Sequence, residues 1–278
     1  EVINSYVNQG ILEKVQGKGT FIIETEKSVR FSGWIGTEPP GDALLREMID
    51  RIDKQDPRLK ITYTPIPYYK TVESLVGMAI DRQLPDVMQL SPHFVNILHD
   101  FDLLLPLDQY INQSTQKRRY PVDIKSGKIG TNLYSASWAL APFVLYYNKK
   151  VLERVGLDPE KPPETMDELL DMCVFINNAS ISNTWGMSLP LSVSDPVYIW
   201  LYLYFLSFGG GFCDSLRNIT IDSKENREVI GFLRKLYHHG CIPGVKDVTE
   251  GRMLFSSDHI GFWVDGPYLR GLLRQISP

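Results

Sequence analysis

The chain has 278 residues, of which 43% are hydrophobic and 22% are charged, and this balance excludes a disordered or fibrous protein. Its 29 basic and 33 acidic residues give a formal net charge of −4, whereas bulk nucleic-acid binders normally carry a basic excess. At about 150 residues per domain, the length predicts one to two domains with a sizeable buried core.

The first 25 residues predict a helix followed by a β-hairpin. Apolar residues at helical spacing run from Val2 to Val7, and Gly10 is the predicted helix end. Strands are predicted at 11–15 and 20–23, on either side of a connection that contains two glycines.

The same residues carry a resemblance to a known family. The segments Asn8-Gln9-Gly10-Ile11-Leu12 and Val15-Gln16-Gly17-Lys18-Gly19-Thr20-Phe21-Ile22 resemble the recognition-helix end and the wing of GntR-type transcriptional regulators. The resemblance implies that the wing tip reaches the DNA minor groove through Gln16, Gly17, Lys18 and Gly19. Glycine permits close approach of the backbone, and a lysine can neutralise a phosphate. The helices that make most base contacts in that family are absent from the sequence, and an ordinary β-hairpin is the alternative interpretation.

After a short polar linker, strands and helices alternate, which predicts a parallel α/β sheet with helices on its faces. The predicted elements are strands at 29–35, 59–65 and 86–90 and helices at 42–54 and 72–82. Farther along the chain, Thr165-x-x-Glu168 predicts a capping box for a helix that runs to about Asn177, and Asp222-x-x-Glu225 predicts another. The longest apolar run, 197–206, is shorter than the ~18 to 20 residues that span a bilayer, so we expect a buried helix and no membrane partner.

The three cysteines indicate the redox state of the compartment in which the protein works. Cys173, Cys213 and Cys241 are widely spaced and show no metal-ligand spacing, which favours free thiols in a reducing compartment. No signal-peptide pattern opens the chain, although the sequence begins with Glu1 rather than Met. We predict no metal and no cofactor.

A series of segments in a fixed order carries a second resemblance. The segments are 84–90, 103–108, 138–150, 156–169 and 260–268. Together they resemble the extracellular solute-binding proteins of ABC sugar importers, the maltose-binding type of two-lobed receptor, from Val29 to the C-terminus. The resemblance implies an α/β, two-lobed periplasmic-binding-protein-like domain at 26–278, preceded by a partial winged helix at 1–25. Lobe 1 is expected at about 28–110 and lobe 2 at about 140–278, with a C-terminal part of the domain missing beyond Pro278.

That family binds a carbohydrate in the cleft between its lobes. Sugar C–H faces stack on aromatic rings, and sugar hydroxyls need polar partners. The resemblance implies that Trp34, at the end of the first predicted strand, leads into a loop that faces the cleft. It also implies ligand contacts from Ser91 and His93, which follow the third strand, where open α/β sheets place ligands. By the same resemblance, the remaining ligand-binding candidates are Trp138, Asp195, Tyr198, Asp265 and Tyr268. Core packing is the alternative for the aromatic residues, and Asp195 is equally suited to cap the helix that follows it.

The two resemblances together predict a cytoplasmic, sugar-responsive transcriptional regulator that acts as a homodimer on DNA. A mono- or oligosaccharide would close the lobes and change the placement of the paired winged helices. The alternative is a carbohydrate-binding receptor of an ABC importer, exported and lipid-anchored outside the cytoplasm. A carbohydrate-active enzyme that uses Asp195 and Asp265 is the least favoured interpretation, because the sequence shows no nucleophile–base pair, P-loop or zinc-protease motif. We therefore predict no catalytic residue.

Overall fold

Two three-stranded sheets, one in each of two units, organise the chain. The units are Glu1–Leu140 (unit 1) and Ala141–Pro278 (unit 2). The computed structural model describes residues 2–8, 11–22, 27–37, 41–190, 197–214, 218–245 and 247–276.

Unit 1 begins with the predicted helix and hairpin. The elements are α1 (Val2–Asn8), β1 (Leu12–Val15) and β2 (Gly19–Ile22). The two strands pair antiparallel, with Leu12 opposite Ile22. The turn requires glycine because Gly17 and Gly19 adopt φ angles of 79° and 112°. The predicted helix end at Gly10 and the predicted last strand residue Ile23 lie outside the described residues.

A parallel sheet follows, as predicted. It consists of β3 (Lys27–Gly33), β4 (Leu59–Pro65) and β5 (Val87–Met88) in the order β4-β3-β5. Helix α2 (Gly41–Gln55) connects β3 to β4, and helix α3 (Thr71–Ile80) connects β4 to β5. Strand β3 ends before the predicted residue 35, because Ile35–Thr37 forms a 3-10 turn whose Thr37 amide donates to the Trp34 carbonyl.

The rest of unit 1 follows this sheet in the chain. Its elements are α4 (Pro92–Asp100), α5 (Gln113–Lys117), α6 (Pro121–Ser126), β6 (Lys128–Ile129) and β7 (Asn132–Leu133). Ile66, Leu75 and Leu98 form a buried core cluster that joins the segment after β4 to α3 and α4. Burial of this apolar surface holds the loops at the end of the sheet in place.

The strands of unit 2 are β8 (Val144–Tyr147), β9 (Trp185–Met187), β10 (Leu189–Pro190), β11 (Gly244–Val245) and β12 (Ile260–Asp265). Three of them form a mixed sheet in the order β8-β12-β9, in which β12 is antiparallel to β8 and parallel to β9, and β10 pairs with β11. Its helices are α7 (Lys149–Val155), α8 (Met166–Asn178), α9 (Val197–Ser207), α10 (Lys224–His238), α11 (Val248–Ser256) and α12 (Leu269–Ile276).

Local capping signals in unit 2 are largely as predicted. The Thr165–Glu168 capping box at the start of α8 is present in both directions. Helix α10, by contrast, is capped by Ser223 rather than Asp222, because the Ser223 hydroxyl accepts from the Asn226 amide at 3.2 Å. Helix α9 is found where the apolar run predicted it. Among the described residues, no helix combines the length and the hydropathy needed to cross a membrane.

Candidate functional site

Three of the predicted ligand contacts lie at one edge of the unit 1 sheet. Trp34 follows β3, and Ser91 and His93 follow β5, so all three stand at the carboxyl ends of neighbouring parallel strands. The chain passes from β3 to β4 on one side and then to β5 on the other, so the strand order reverses between β3 and β5. Open α/β sheets bind ligands at such a reversal. The local fold therefore brings these three residues to the position where a ligand is expected.

A fourth residue, Tyr68, joins this group. It lies just after β4, and its ring meets the Trp34 ring edge-on at 5.1 Å between centroids. On its other side, Tyr68 packs against Phe94 at 5.4 Å and His93 at 6.2 Å. We call Trp34, Tyr68, Ser91 and His93 the strand-end cluster. Trp34, Tyr68 and His93 are partly buried, so their rings are packed without being sealed from solvent.

The strand-end cluster also contains paired hydroxyl groups. The Tyr68 hydroxyl donates to Ser91 Oγ at 3.4 Å. Ser91 is the N-cap residue of α4, but its hydroxyl makes no capping hydrogen bond. A phenol and an alcohol beside two aromatic rings supply the polar and apolar contacts that a polyhydroxylated ligand needs.

Tyr68 was not among the residues selected from the sequence. The signal that selected Trp34 and Ser91 would have found it, because Tyr68 follows the second predicted strand just as they follow the first and the third. Tyr68 was missed because Ile66 and Pro67 separate it from the end of β4 at Pro65.

In unit 2, Tyr268 lies beside a buried ion pair. Arg252 donates to Asp265 through Nε at 2.7 Å and Nη2 at 3.1 Å. Its guanidinium carbon lies 5.3 Å from the centroid of the Tyr268 ring, within range of a cation–π contact. Tyr268 is 40% exposed, so part of the ring faces solvent. Burial raises the pKa of Tyr268, and the Asp265 carboxylate raises it further, so the phenol is protonated at neutral pH.

Asp265 itself is fully buried. Besides Arg252, its carboxylate accepts from Trp263 Nε1 at 2.9 Å and from the Gly266 amide at 2.8 Å. All of these partners belong to the protein. The geometry therefore supports a role for Asp265 in holding Arg252 and the turn that leads to Tyr268, rather than the direct ligand contact that the sequence predicted.

Three predicted ligand contacts remain, namely Trp138, Asp195 and Tyr198. Trp138 is 52% exposed near the end of unit 1. Asp195 lies outside the described residues, and Tyr198 lies in the first turn of α9, with only its backbone described. Trp200 is a core residue, because it is 5% exposed and its Nε1 donates to the Val264 carbonyl at 2.7 Å. Direct contacts from Trp138, Asp195 and Tyr198 stay predictions.

The four residues predicted to contact DNA occupy the exposed turn of the N-terminal hairpin. They are Gln16, Gly17, Lys18 and Gly19. A helix and hairpin at this position are confirmed, but their contact with DNA stays a prediction.

Comparisons of the chain with known proteins agree on one protein family. The family model for bacterial extracellular solute-binding proteins matches residues 36–269. An arabinooligosaccharide-binding protein of Halalkalibacterium halodurans is 24% identical over 196 residues, which are 69% of this chain and 41% of that protein. The sn-glycerol-3-phosphate-binding periplasmic protein UgpB of Salmonella paratyphi A is 29% identical over 125 residues, 44% of this chain and 27% of that protein.

Solved structures agree on the fold. An ABC transporter solute-binding protein from Thermotoga lettingae, bound to alpha-D-tagatose, superposes with a TM-score of 0.78 at 18% identity. The superposition covers 91% of this chain and 65% of that one. The two-lobed α/β fold of periplasmic binding proteins is therefore confirmed for this chain, which spans less than half of the length of the curated relatives named above.

These findings correct the predicted function. The prediction of a sugar-responsive transcriptional regulator is wrong, because the matched family and the relatives are solute-binding proteins. They support the alternative, a receptor of an ABC importer. The family match begins at residue 36, beyond the hairpin, and none of these similarities supports a winged helix, a DNA partner or a homodimer. A family of binding proteins agrees with the prediction that the chain is not an enzyme.

Proposed function

The chain belongs to the bacterial extracellular solute-binding protein family, and we propose that it is a carbohydrate-binding receptor of an ABC importer that works outside the cytoplasm. The relatives compared above bind an arabinooligosaccharide, sn-glycerol 3-phosphate and tagatose. All three ligands carry several hydroxyl groups, and two of the three are neutral saccharides.

The observation that carries this proposal is the strand-end cluster of unit 1. The Trp34 ring is partly exposed and packs in a T-shaped contact with Tyr68, and exposed indole surface is suited to stacking on the C–H face of a sugar ring. The adjoining Tyr68 and Ser91 hydroxyls can exchange hydrogen bonds with sugar hydroxyls. An unpaired sugar hydroxyl in a desolvated site would cost about 1 to 3 kcal/mol, so such polar partners are required next to the rings.

Unit 2 offers a second set of candidate contacts through Tyr268. Its ring is partly exposed and is fixed from one side by the Arg252 guanidinium. The Arg252 charge is paired with the buried Asp265 carboxylate. This arrangement favours a neutral ligand over a phosphate ester at Tyr268, because the Arg252 guanidinium, which could otherwise bind a phosphate, is already paired with Asp265.

A thermal-shift screen tests the proposed function. We expect arabinotriose, maltotriose or tagatose to raise the melting temperature, since a ligand that binds only the folded state stabilises it by mass action. Trp34→Ala should abolish the shift, whereas Trp185→Phe, which alters a tryptophan of β9 outside both candidate sites, should keep it. A shift produced by sn-glycerol 3-phosphate and by none of the saccharides would contradict the carbohydrate proposal.

A further inference from the structure

The side chains of Tyr63, in β4, and Gln89, directly after β5, hold the short segment that carries Trp34. We propose that Gln89 and Tyr63 are positioning residues that fix the backbone carrying Trp34 and so place its ring for stacking on a saccharide. The use of that orientation for a saccharide rests on the proposed function, whereas the positioning itself depends only on contacts within unit 1.

Gln89 holds the segment from the β5 side. Its backbone amide donates to the Ser32 carbonyl at 2.8 Å, which anchors residue 89 to the end of β3. Its side-chain Oε1 then accepts from the Ile35 amide, also at 2.8 Å. Gln89 is only 7% exposed, so this bond is shielded from water and resists exchange with solvent. Ile35, directly after Trp34, is thus bonded to the segment that leads from β5 to Ser91 and His93.

Tyr63 holds the same segment from the opposite side of β3. Its hydroxyl donates to the Gly33 carbonyl at 2.6 Å and accepts from the Gly36 amide at 2.9 Å. Burial raises the pKa of Tyr63, so the hydroxyl remains protonated and able to donate. One phenol therefore bridges the residues before and after the Trp34–Ile35 pair.

The close approach of Gln89 explains why glycine stands at position 33. A Cβ placed on Gly33 would lie 2.4 Å from the Gln89 Cβ and 2.7 Å from its Oε1, distances that require one side to move. The Trp34 carbonyl is held as well, because it accepts from the Thr37 amide at 2.9 Å and the Thr37 hydroxyl at 2.7 Å. The backbone on both sides of Trp34 is thus fixed, and only the two side-chain torsions of the tryptophan remain.

This arrangement is a form of preorganisation. A ligand that stacks on a loose tryptophan must first order the loop, and this cost lowers its affinity. A tryptophan whose backbone is already fixed avoids most of that cost. We expect the loss of either anchor to weaken saccharide binding by about 3- to 10-fold.

Fluorine NMR of protein labelled with 5-fluorotryptophan tests the positioning without any ligand. Trp34→Phe identifies the Trp34 line by its disappearance. Gln89→Met removes the acceptor at nearly constant length, and Tyr63→Phe removes the hydroxyl, so either should shift or broaden the Trp34 line. Leu133→Ala removes a fully buried side chain elsewhere in unit 1 and serves as the matched destabilising control, with the line unchanged.

The same variants are then titrated with whichever of arabinotriose, maltotriose or tagatose binds the unaltered protein. The proposal predicts weaker binding in Gln89→Met and Tyr63→Phe, and unchanged binding in Leu133→Ala. A Trp34 line that stays at its original position and width in both anchor variants would overturn it, as would equal weakening by Leu133→Ala. If none of the three saccharides binds the unaltered protein, the proposed function fails while the Trp34 line still decides the positioning.

Discussion

Asp265 and Arg252 form a two-point ion pair in which both carboxylate oxygens accept from the guanidinium, at 2.7 and 3.1 Å. The Asp265 side chain is fully buried and that of Arg252 is 17% exposed. Removal of one partner from such a pair lowers stability strongly, because the remaining charge would be buried without compensation. The pair links α11, which carries Arg252, to the end of β12 and so to the turn before Tyr268.

The first prediction concerns this ion pair. Arg252→Met should lower the free energy of unfolding of unit 2 by about 3 to 5 kcal/mol, since Asp265 would keep a buried charge without its partner. Urea unfolding followed by tryptophan fluorescence measures this loss, with Trp263 as a reporter that donates directly to Asp265. The double variant Arg252→Met/Asp265→Asn removes both charges and should recover part of the loss. A cost below about 1 kcal/mol for Arg252→Met would contradict the account.

The second prediction concerns alkaline pH. The pKa of Tyr268 is raised by burial and then by Asp265, so the folded state binds the phenolic proton more tightly than the unfolded state. The resulting stabilisation is fully present below the ordinary pKa of about 10 and is lost as the pH rises from there through the folded-state pKa. The urea midpoint should therefore fall more between pH 9 and pH 11 for the unaltered protein than for Tyr268→Phe. Equal falls in the two proteins would contradict the prediction.

The third prediction concerns a buried hydroxyl in α9. Tyr204 is 3% exposed, and its hydroxyl has no hydrogen-bond partner among the described residues. Tyr204→Phe removes a buried polar atom, so we expect the stability to be unchanged or to rise by about 1 kcal/mol. Tyr146→Phe is the matched control, because it removes a hydroxyl that donates to the Gly266 carbonyl at 3.1 Å and should cost about 0.5 to 1.5 kcal/mol. Thermal unfolding of the two variants gives the comparison, and a larger loss for Tyr204→Phe would be inconsistent with it.

The fourth prediction tests the capping box of α8. The Thr165 hydroxyl accepts from the Glu168 amide at 3.1 Å, and Glu168 accepts from the Thr165 amide at 3.3 Å. Thr165→Ala should destabilise unit 2 by about 1 kcal/mol, and Thr165→Ser, which keeps the hydroxyl, should restore most of it. Equal stability of the alanine and serine variants in urea would show that the hydroxyl contributes nothing.

Features encoded by neighbouring residues could be predicted from the sequence. The Thr165 capping box needs only residues 165–168, and strand β4 was predicted with its observed bounds, Leu59–Pro65. The hairpin turn is specified by Gly17 and Gly19, whose positive φ angles few other residues adopt. The order of strands and helices in unit 1 followed from such local signals.

Contacts between distant residues could not be predicted in this way. The bond from the Ile35 amide to Gln89 joins residues 54 positions apart, and it depends on the pairing of β3 with β5. The sequence did not indicate that Arg252 would pair with Asp265, because the two residues lie 13 positions apart on different elements, α11 and β12. The Ser223 cap replaced the predicted Asp222 by a shift of one residue, within the usual uncertainty of helix ends.

The central claim is that a saccharide stacks on Trp34 within the strand-end cluster. Isothermal titration of the saccharide that gives the largest thermal shift, into the unaltered protein, Trp34→Ala and Trp185→Phe, tests this claim most directly. We expect binding to the unaltered protein and to Trp185→Phe, with a loss of affinity of at least about 10-fold, or 1.4 kcal/mol, in Trp34→Ala. Equal affinity of Trp34→Ala and the unaltered protein would contradict it.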